Sequence, residues 1–266
     1  MSVRTQRWCV WCGPIFVALF AIGFWAVARF VPPPSPDLSA EQIAARYADN
    51  RNQIRAGLQI AVGASALFFP FVAAMSVQIK RIEGRESPLA YAQLAAGAGS
   101  TLVFVFPLMF MQAAAFRSDR SPGDVQALND LAFIPFVGLF CVPMVQNVCL
   151  AIAILQDKRA DPVFPRWSGY FNLWIGSCYL PAVMLVFFKE GPFAWNGLLP
   201  WWLGAAAFFS WVLVMAVLML RAIDRNEDSI EIGSTPPSEL QVAWVRFLHE
   251  QSEQGSRALP VPPERP

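Results

Sequence analysis

"LSAEQIAARYADNRNQIRAGLQIAVGASALFFPFVAAMSVQ", Leu38 to Gln78, begins as a charged helix and ends as an apolar one, with no proline before Pro70 to part them. Ser39 stands where an N-cap is needed and Gln42 follows three residues on, so each satisfies a backbone N–H of the other. Leu38 and Ile43 flank this start as a hydrophobic staple, and Glu41 meets the positive end of the helix dipole. Ile43, Tyr47, Ile54 and Leu58 fall near one face, while Asp49, Asn52, Arg55 and Gln59 fall near another, which makes the segment amphipathic. A straight helix from Ser39 to Gln78 would measure about 60 Å at about 1.5 Å per residue. That is twice the roughly 30 Å of bilayer hydrocarbon. The helix therefore either projects from a membrane or bends, with Gly57 the expected hinge.

Outward from this stretch the chain repeats its apolar half. Six apolar runs occur, near 12–30, 56–78, 89–116, 131–155, 167–188 and 198–220, and each approaches the roughly 20 residues that a spanning helix needs. Backbone groups in hydrocarbon must pair within their own segment, and no run alternates with the period of a barrel strand, so the runs are helices. The composition agrees: 56% of the 266 residues are hydrophobic and 15% charged, against about 45–50% and about 25% in ordinary globular domains. The expected fold is all-α, a transmembrane bundle of about six helices with an outer amphipathic helix leading into the second span. Residues 1–11 and 222–266 then flank a membrane domain over 12–221. The tail carries a second capping box, Ser238 with Gln241, and an apolar stripe of Leu240, Trp244, Phe247 and Leu248, which predicts a short amphipathic helix near 238–251.

Lys and Arg set the expected orientation. Arg4, Arg7, Lys80, Arg81, Arg85, Lys158, Arg159, Arg166, Arg221 and Arg225 fall on one side, and Arg46, Arg51, Arg55, Arg117, Arg120 and Lys189 on the other. Ten against six places both termini in the cytoplasm. Arg4 and Arg7, an apolar stretch and Ala26-Val27-Ala28 also have the outline of a secretory signal, but the stretch exceeds the usual apolar core of one, so a retained span is expected.

Several chemistries lack their residues. The single His, His249, leaves no His cluster for iron, copper or haem, no H-E-x-x-H and no serine protease pair within a span. No nucleotide-binding glycine pattern is present, and "CVWC", Cys9 to Cys12, lacks both a second pair of zinc ligands and the βαβ setting of a redox motif. The expectation is a protein that is not an enzyme and has no cofactor. A net charge of +1 gives no basic footprint for nucleic acid. The spans carry no ionisable residue at mid-depth, which argues against a proton pump. Gln146-Asn147 is the deepest polar pair; the two point about 100° apart on a helix and are read as hydrogen-bonding two different neighbours. In "AAGAGST", Ala95 to Thr101, the small residues Ala95 and Gly99 are read as a close helix contact. Pro70, Pro107, Pro135, Pro143 and Pro181 predict kinks in the spans.

Polar residues gather where the spans meet the outer side. Arg46, Tyr47, Asn52, Arg55 and Gln59 precede or open span two, and Gln112 and Arg117 close span three. Two readings fit them: an outward pocket for a lipid or hydrophobic small molecule, or a surface helix that snorkels its arginines to headgroups. The candidate ligand-binding set is Arg46, Tyr47, Asn52, Arg55, Gln59 and Gln112, with Gln146 and Asn147 deeper. The layout of one helix, the Pro-rich segment "FVPPPSPD" and then "LSAEQIAARYADNRNQIRAG" resembles bacterial polytopic integral membrane proteins to which no reaction is assigned. That resemblance implies an inner-membrane protein and no catalytic residues. The expected activity is binding or accessory, with membrane lipids as partners and, beside them, either a membrane-protein partner or a second copy of the chain. The alternative is a small transporter or channel for a neutral or hydrophobic solute.

Overall fold

The computed structural model describes residues 2–84 and 86–234, with side chains as far as Arg225. Two units divide the chain, Met1–Ile223 and Asp224–Pro266. The helix expected at 238–251 lies outside the described residues. Among the described residues the fold is all-helical, and six helices are long and apolar enough to cross a membrane. The protein is a multi-pass membrane protein.

Span one is α1 (Val3–Phe20), which continues as a π-helical segment, Ala21–Val27. It begins well before the apolar run at Cys12, because Arg4 and Arg7 lie in the first turns, where charged side chains reach the interface without breaking the helix. Then α2 (Ala40–Asp49) lies outside the spans, and its capping box is formed: Gln42 N donates to Ser39 Oγ at 3.3 Å, and Ser39 N donates to Gln42 Oε1 at 2.9 Å. Span two consists of α3 (Arg51–Ser65) and α4 (Phe68–Glu83), span three of α5 (Pro88–Phe116), and span four of α6 (Pro122–Gly138) and α7 (Cys141–Gln156). Span five is α8 (Trp167–Cys178) followed by a 3₁₀ segment, Leu180–Phe187. Span six opens with a π turn, Leu198–Leu203, and runs on as α9 (Gly204–Ser234).

The hinge expected at Gly57 is elsewhere. The chain bends at Asn50, between α2 and α3, where φ −115° and ψ 17° leave helical values. Gly57 serves packing instead: a Cβ there would collide with Ala28 N and Gly23 O, so the glycine lets span one approach span two at backbone distance. Lipid supplies no hydrophobic force between helices, and such close approaches are what hold them. Gly97 plays this part in the AAGAGST stretch, where a Cβ would strike Val72; Ala95, expected at the contact, is exposed.

Three of the five prolines mark breaks. A proline ring clashes with the carbonyl four residues earlier but is harmless in a first turn. Span two is accordingly interrupted at Ala66–Leu67, ahead of Pro70, and span four at Leu139–Phe140, ahead of Pro143; span five leaves the α-helix at Tyr179, ahead of Pro181. Pro107 lies within α5 without ending it.

The bundle has two ends. At one, here the cap end, Trp195 Nε1 donates to Pro34 O at 2.8 Å and Gln126 Nε2 to Leu38 O at 3.2 Å, joining loop 188–197, α6 and loop 28–39. Arg29 belongs to this end, so the count of basic residues becomes ten against seven. At the opposite end Gln78 Nε2 donates to Gln6 Oε1 at 3.0 Å, and Arg81 Nη1 donates to Ala222 O at 3.0 Å. Arg159 Nη1 in turn donates to Arg81 O at 3.0 Å. Asp157 accepts from Arg159 Nη2 at 2.7 Å and from Val163 N at 3.0 Å, and the Arg159 hydrogen bonds hold its carboxyl below the usual range.

Candidate functional site

Phe16, Phe20 and Phe24 repeat every four residues along span one and so share a face. That face is buried. Phe20 meets Phe104 of α5 at 5.3 Å between ring centroids, Phe24 meets Phe136 of α6 at 5.5 Å and Trp201 at 6.1 Å, and Phe104 meets Phe208 of α9 at 5.1 Å. These rings do not fill the space between them. All but Phe16 line a cavity of about 470 Å³ in the half of the bundle nearer the cap end.

The cavity draws on the non-α segments of four spans, the break in span two being the one that does not reach it. Ala21, Phe24 and Trp25 come from the π segment of span one, Leu139 and Phe140 from the break in span four. Tyr179 and Ala182 come from the α-to-3₁₀ junction of span five, and Pro200 and Trp201 from the π turn of span six. Straight α-helices pack ridge into groove and leave few voids. Where the helices widen, tighten or stop, that packing is lost and the cavity opens; π segments of this kind are frequent at functional sites. Trp25, Leu139 and Trp202 line the cavity and are also exposed, so it opens on the lipid-facing surface.

One wall is polar. Ser100 and Tyr179 belong to the lining. Ser100 Oγ is 3.5 Å from Gln146 Oε1, the limit of a hydrogen bond, and Asn147 Nδ2 donates to Pro143 O at 2.8 Å. Among the described residues the Tyr179 hydroxyl, Asn147 Oδ1 and Gln146 Nε2 are buried without a well-formed hydrogen bond, and the Asn147 side chain lies close enough to the Tyr179 hydroxyl to interact with it. Buried polar atoms without partners are rare and costly. Here three of them stand at or directly behind one wall of an apolar cavity.

Gln146 and Asn147 are thus placed beside this cavity, whereas the other candidates lie at or near the cap end and do not line it. Arg46 Nη2 donates to Arg29 O at 2.8 Å, with its guanidinium over the Phe30 ring at 5.8 Å; partial burial lowers its pKa, and it closes the turn after span one, where Arg29 has φ 56°. Tyr47 is buried against α6 and donates to Asn129 Oδ1 at 3.2 Å; burial pushes its hydroxyl far above the ordinary range, so it is a neutral donor. Asn52 is exposed, and Arg55 is exposed over the Phe116 ring at 5.8 Å. Gln112 Nε2 donates to Gln59 Oε1 at 3.2 Å and ties α5 to α3 on the outer surface. The residues therefore divide among a turn closure, a buried pair, a ring contact and a surface tie.

Residue patterns had given no sign of the aromatic lining as a site. The fourfold Phe repeat was its signal, read only as apolar content. The polar link between α8 and α9, in which Trp211 Nε1 donates to Asn172 Oδ1 at 2.8 Å, had none. No family model, curated protein or solved structure matches the chain.

Proposed function

We propose that this is a bacterial inner-membrane protein, with both termini in the cytoplasm, that binds a hydrophobic molecule carrying one polar group within the lipid-accessible cavity. The carrying observation is the aromatic cavity with an incompletely hydrogen-bonded polar cluster, Tyr179, Asn147 and Gln146, at and behind one wall. Its volume, about 470 Å³, falls in the range of about 300–1,000 Å³ typical of small-molecule sites. The rings would pack on the apolar body. A hydroxyl or carbonyl on the ligand would reach the Tyr179 hydroxyl, which can donate and accept, after a small turn of the Tyr179 side chain toward the cavity, with Asn147 Oδ1 and Gln146 Nε2 behind it. The side opening past Trp25 and Trp202 gives such a molecule a route from the bilayer. Binding without chemistry is the reading, since the cavity wall offers no nucleophile–base pair.

The test is photolabelling. A diazirine-bearing long-chain alcohol, incorporated with the protein in nanodiscs and irradiated, is expected to label Phe104 and Trp201 and to be displaced by excess unlabelled alcohol. Labelling confined to lipid-facing Phe106 and Met109 would remove the proposal. A second reading, transport of a neutral or hydrophobic solute, is favoured by the break in span four at the cavity wall. It predicts protein-dependent flux across proteoliposomes, and simple binding predicts none.

A further inference from the structure

Arg51 opens α3, Arg117 follows the last residue of α5, and Arg120 stands in the short loop before α6. Three element ends thus deliver three arginines to one place. They line a second pocket, at the cap end and separate from the aromatic cavity, with a volume of about 200 Å³. At about 30 Å³ per water, this holds roughly six or seven waters. Its remaining walls are mostly small, Ala44, Ala48, Ala114 and Ala115 among them, and no carboxylate lines it.

None of the three arginines makes a hydrogen bond or an ion pair among the described residues. Three other arginines are engaged: Arg46 on backbone carbonyls, Arg81 on Ala222 O, Arg159 on Asp157. Arg120 is the most telling, because its Nε is buried without a partner. Side chains that merely snorkel to headgroups turn their polar atoms to water. Three guanidinium groups around one concavity also repel each other until an anion stands between them.

We propose that this pocket binds a phosphate group. The guanidinium fork presents paired N–H donors at the spacing of two phosphate oxygens, and several such forks converging is how proteins hold phosphate rather than a point charge. The pocket lies at the cap ends of spans two and three, where a lipid headgroup can reach it. The phosphate is therefore that of an anionic phospholipid or a free phosphate entering from solution, and the two sources are separable.

The experiment uses the full chain. In nanodiscs of phosphatidylcholine containing phosphatidylglycerol, native mass spectrometry should find phosphatidylglycerol retained on the wild type. Arg120→Gln should weaken that retention about tenfold or more, the loss of a charge-assisted hydrogen bond. Arg120→Lys, with the charge but not the fork, should fall between. Arg55→Gln removes a basic residue of the same end that does not line the pocket, and should leave retention unchanged. Arg117→Gln, at an exposed position, gives the same reading if Arg120→Gln does not fold. In detergent, inorganic phosphate titrated by calorimetry identifies the source: binding that phosphatidylglycerol displaces assigns the headgroup, and binding that it does not displace assigns free phosphate. Equal retention in Arg117→Gln, Arg55→Gln and wild type, with no binding of inorganic phosphate, overturns the proposal.

Discussion

The two halves of the bundle solve the same problem differently. In the half away from the cap end, most polar groups in the interior meet one another: Ser76 Oγ donates to Gln93 Oε1, Trp211 Nε1 to Asn172 Oδ1, Gln78 Nε2 to Gln6 Oε1, with Gln93 Nε2 the exception. In the half nearer the cap end the helices depart from α geometry and the rings enclose space, and at its inner boundary the Tyr179 hydroxyl, Asn147 Oδ1 and Gln146 Nε2 are left without well-formed hydrogen bonds. What holds that half is close backbone approach, above all Gly23 against Gly57. Bonds between polar partners fix one arrangement, whereas unpartnered groups beside a void leave room for a ligand. The difference separates the part of the molecule that sets stability from the part available for binding.

The comparison breaks first at the glycine seam. Gly57→Leu drives a side chain into the backbone of span one, and overpacking of this kind costs about 3 kcal/mol or more. Thermal unfolding in mild detergent should show a large loss, and an unchanged midpoint would mean that the seam does not hold the cap half. A pair of matched changes sharpens the contrast. Trp211→Phe leaves Asn172 Oδ1 without its donor and should cost about 1–3 kcal/mol. Tyr179→Phe removes a buried hydroxyl without a well-formed hydrogen bond and should cost less than about 1 kcal/mol. Equal costs for the two would erase the distinction between the halves.

The smallest effect is electrostatic. Asp157 has its pKa lowered by its Arg159 and Val163 bonds, so it binds its proton less readily folded than unfolded. Its contribution is therefore present above the unfolded carboxyl value, about 4, and is lost as the pH falls through the lower folded value. The unfolding midpoint should drop a few degrees on acidification, and Asp157→Asn should flatten that part of the profile; an unaltered profile would remove the Asp157 contribution.

The fold was legible because lipid imposes a simple rule on sequence. Six apolar runs, Ser39 and Gln42 at a helix start, and the faces carrying Ile43, Tyr47, Ile54 and Leu58 all have the meaning that periodicity gives them: those four residues are buried, and Asp49, Asn52, Arg55 and Gln59 are exposed. The bend at Asn50 was not legible, because Gly57 looked the weaker point and only the approach of span one reveals that it is packed. The polar candidates were found because charge is conspicuous in an apolar chain. The cavity was missed for the converse reason. A Phe that fills a core and a Phe that borders a void read alike in sequence, and the void arises from π and 3₁₀ departures that residue patterns do not announce.

The claim that the aromatic cavity holds a ligand meets its most direct test at Gly204. This residue lines the cavity, and a Cβ added there meets nothing within 4 Å, so a side chain can grow into the space without displacing a neighbour. Wild type and Gly204→Leu, purified side by side in mild detergent, would be compared by mass spectrometry of the small molecules that remain bound. The account predicts a hydrophobic molecule with one polar group at near-stoichiometric amount on the wild type and its loss from Gly204→Leu, with the unfolding midpoint preserved. The same bound molecule in equal amount on both proteins, or none on either, would contradict it.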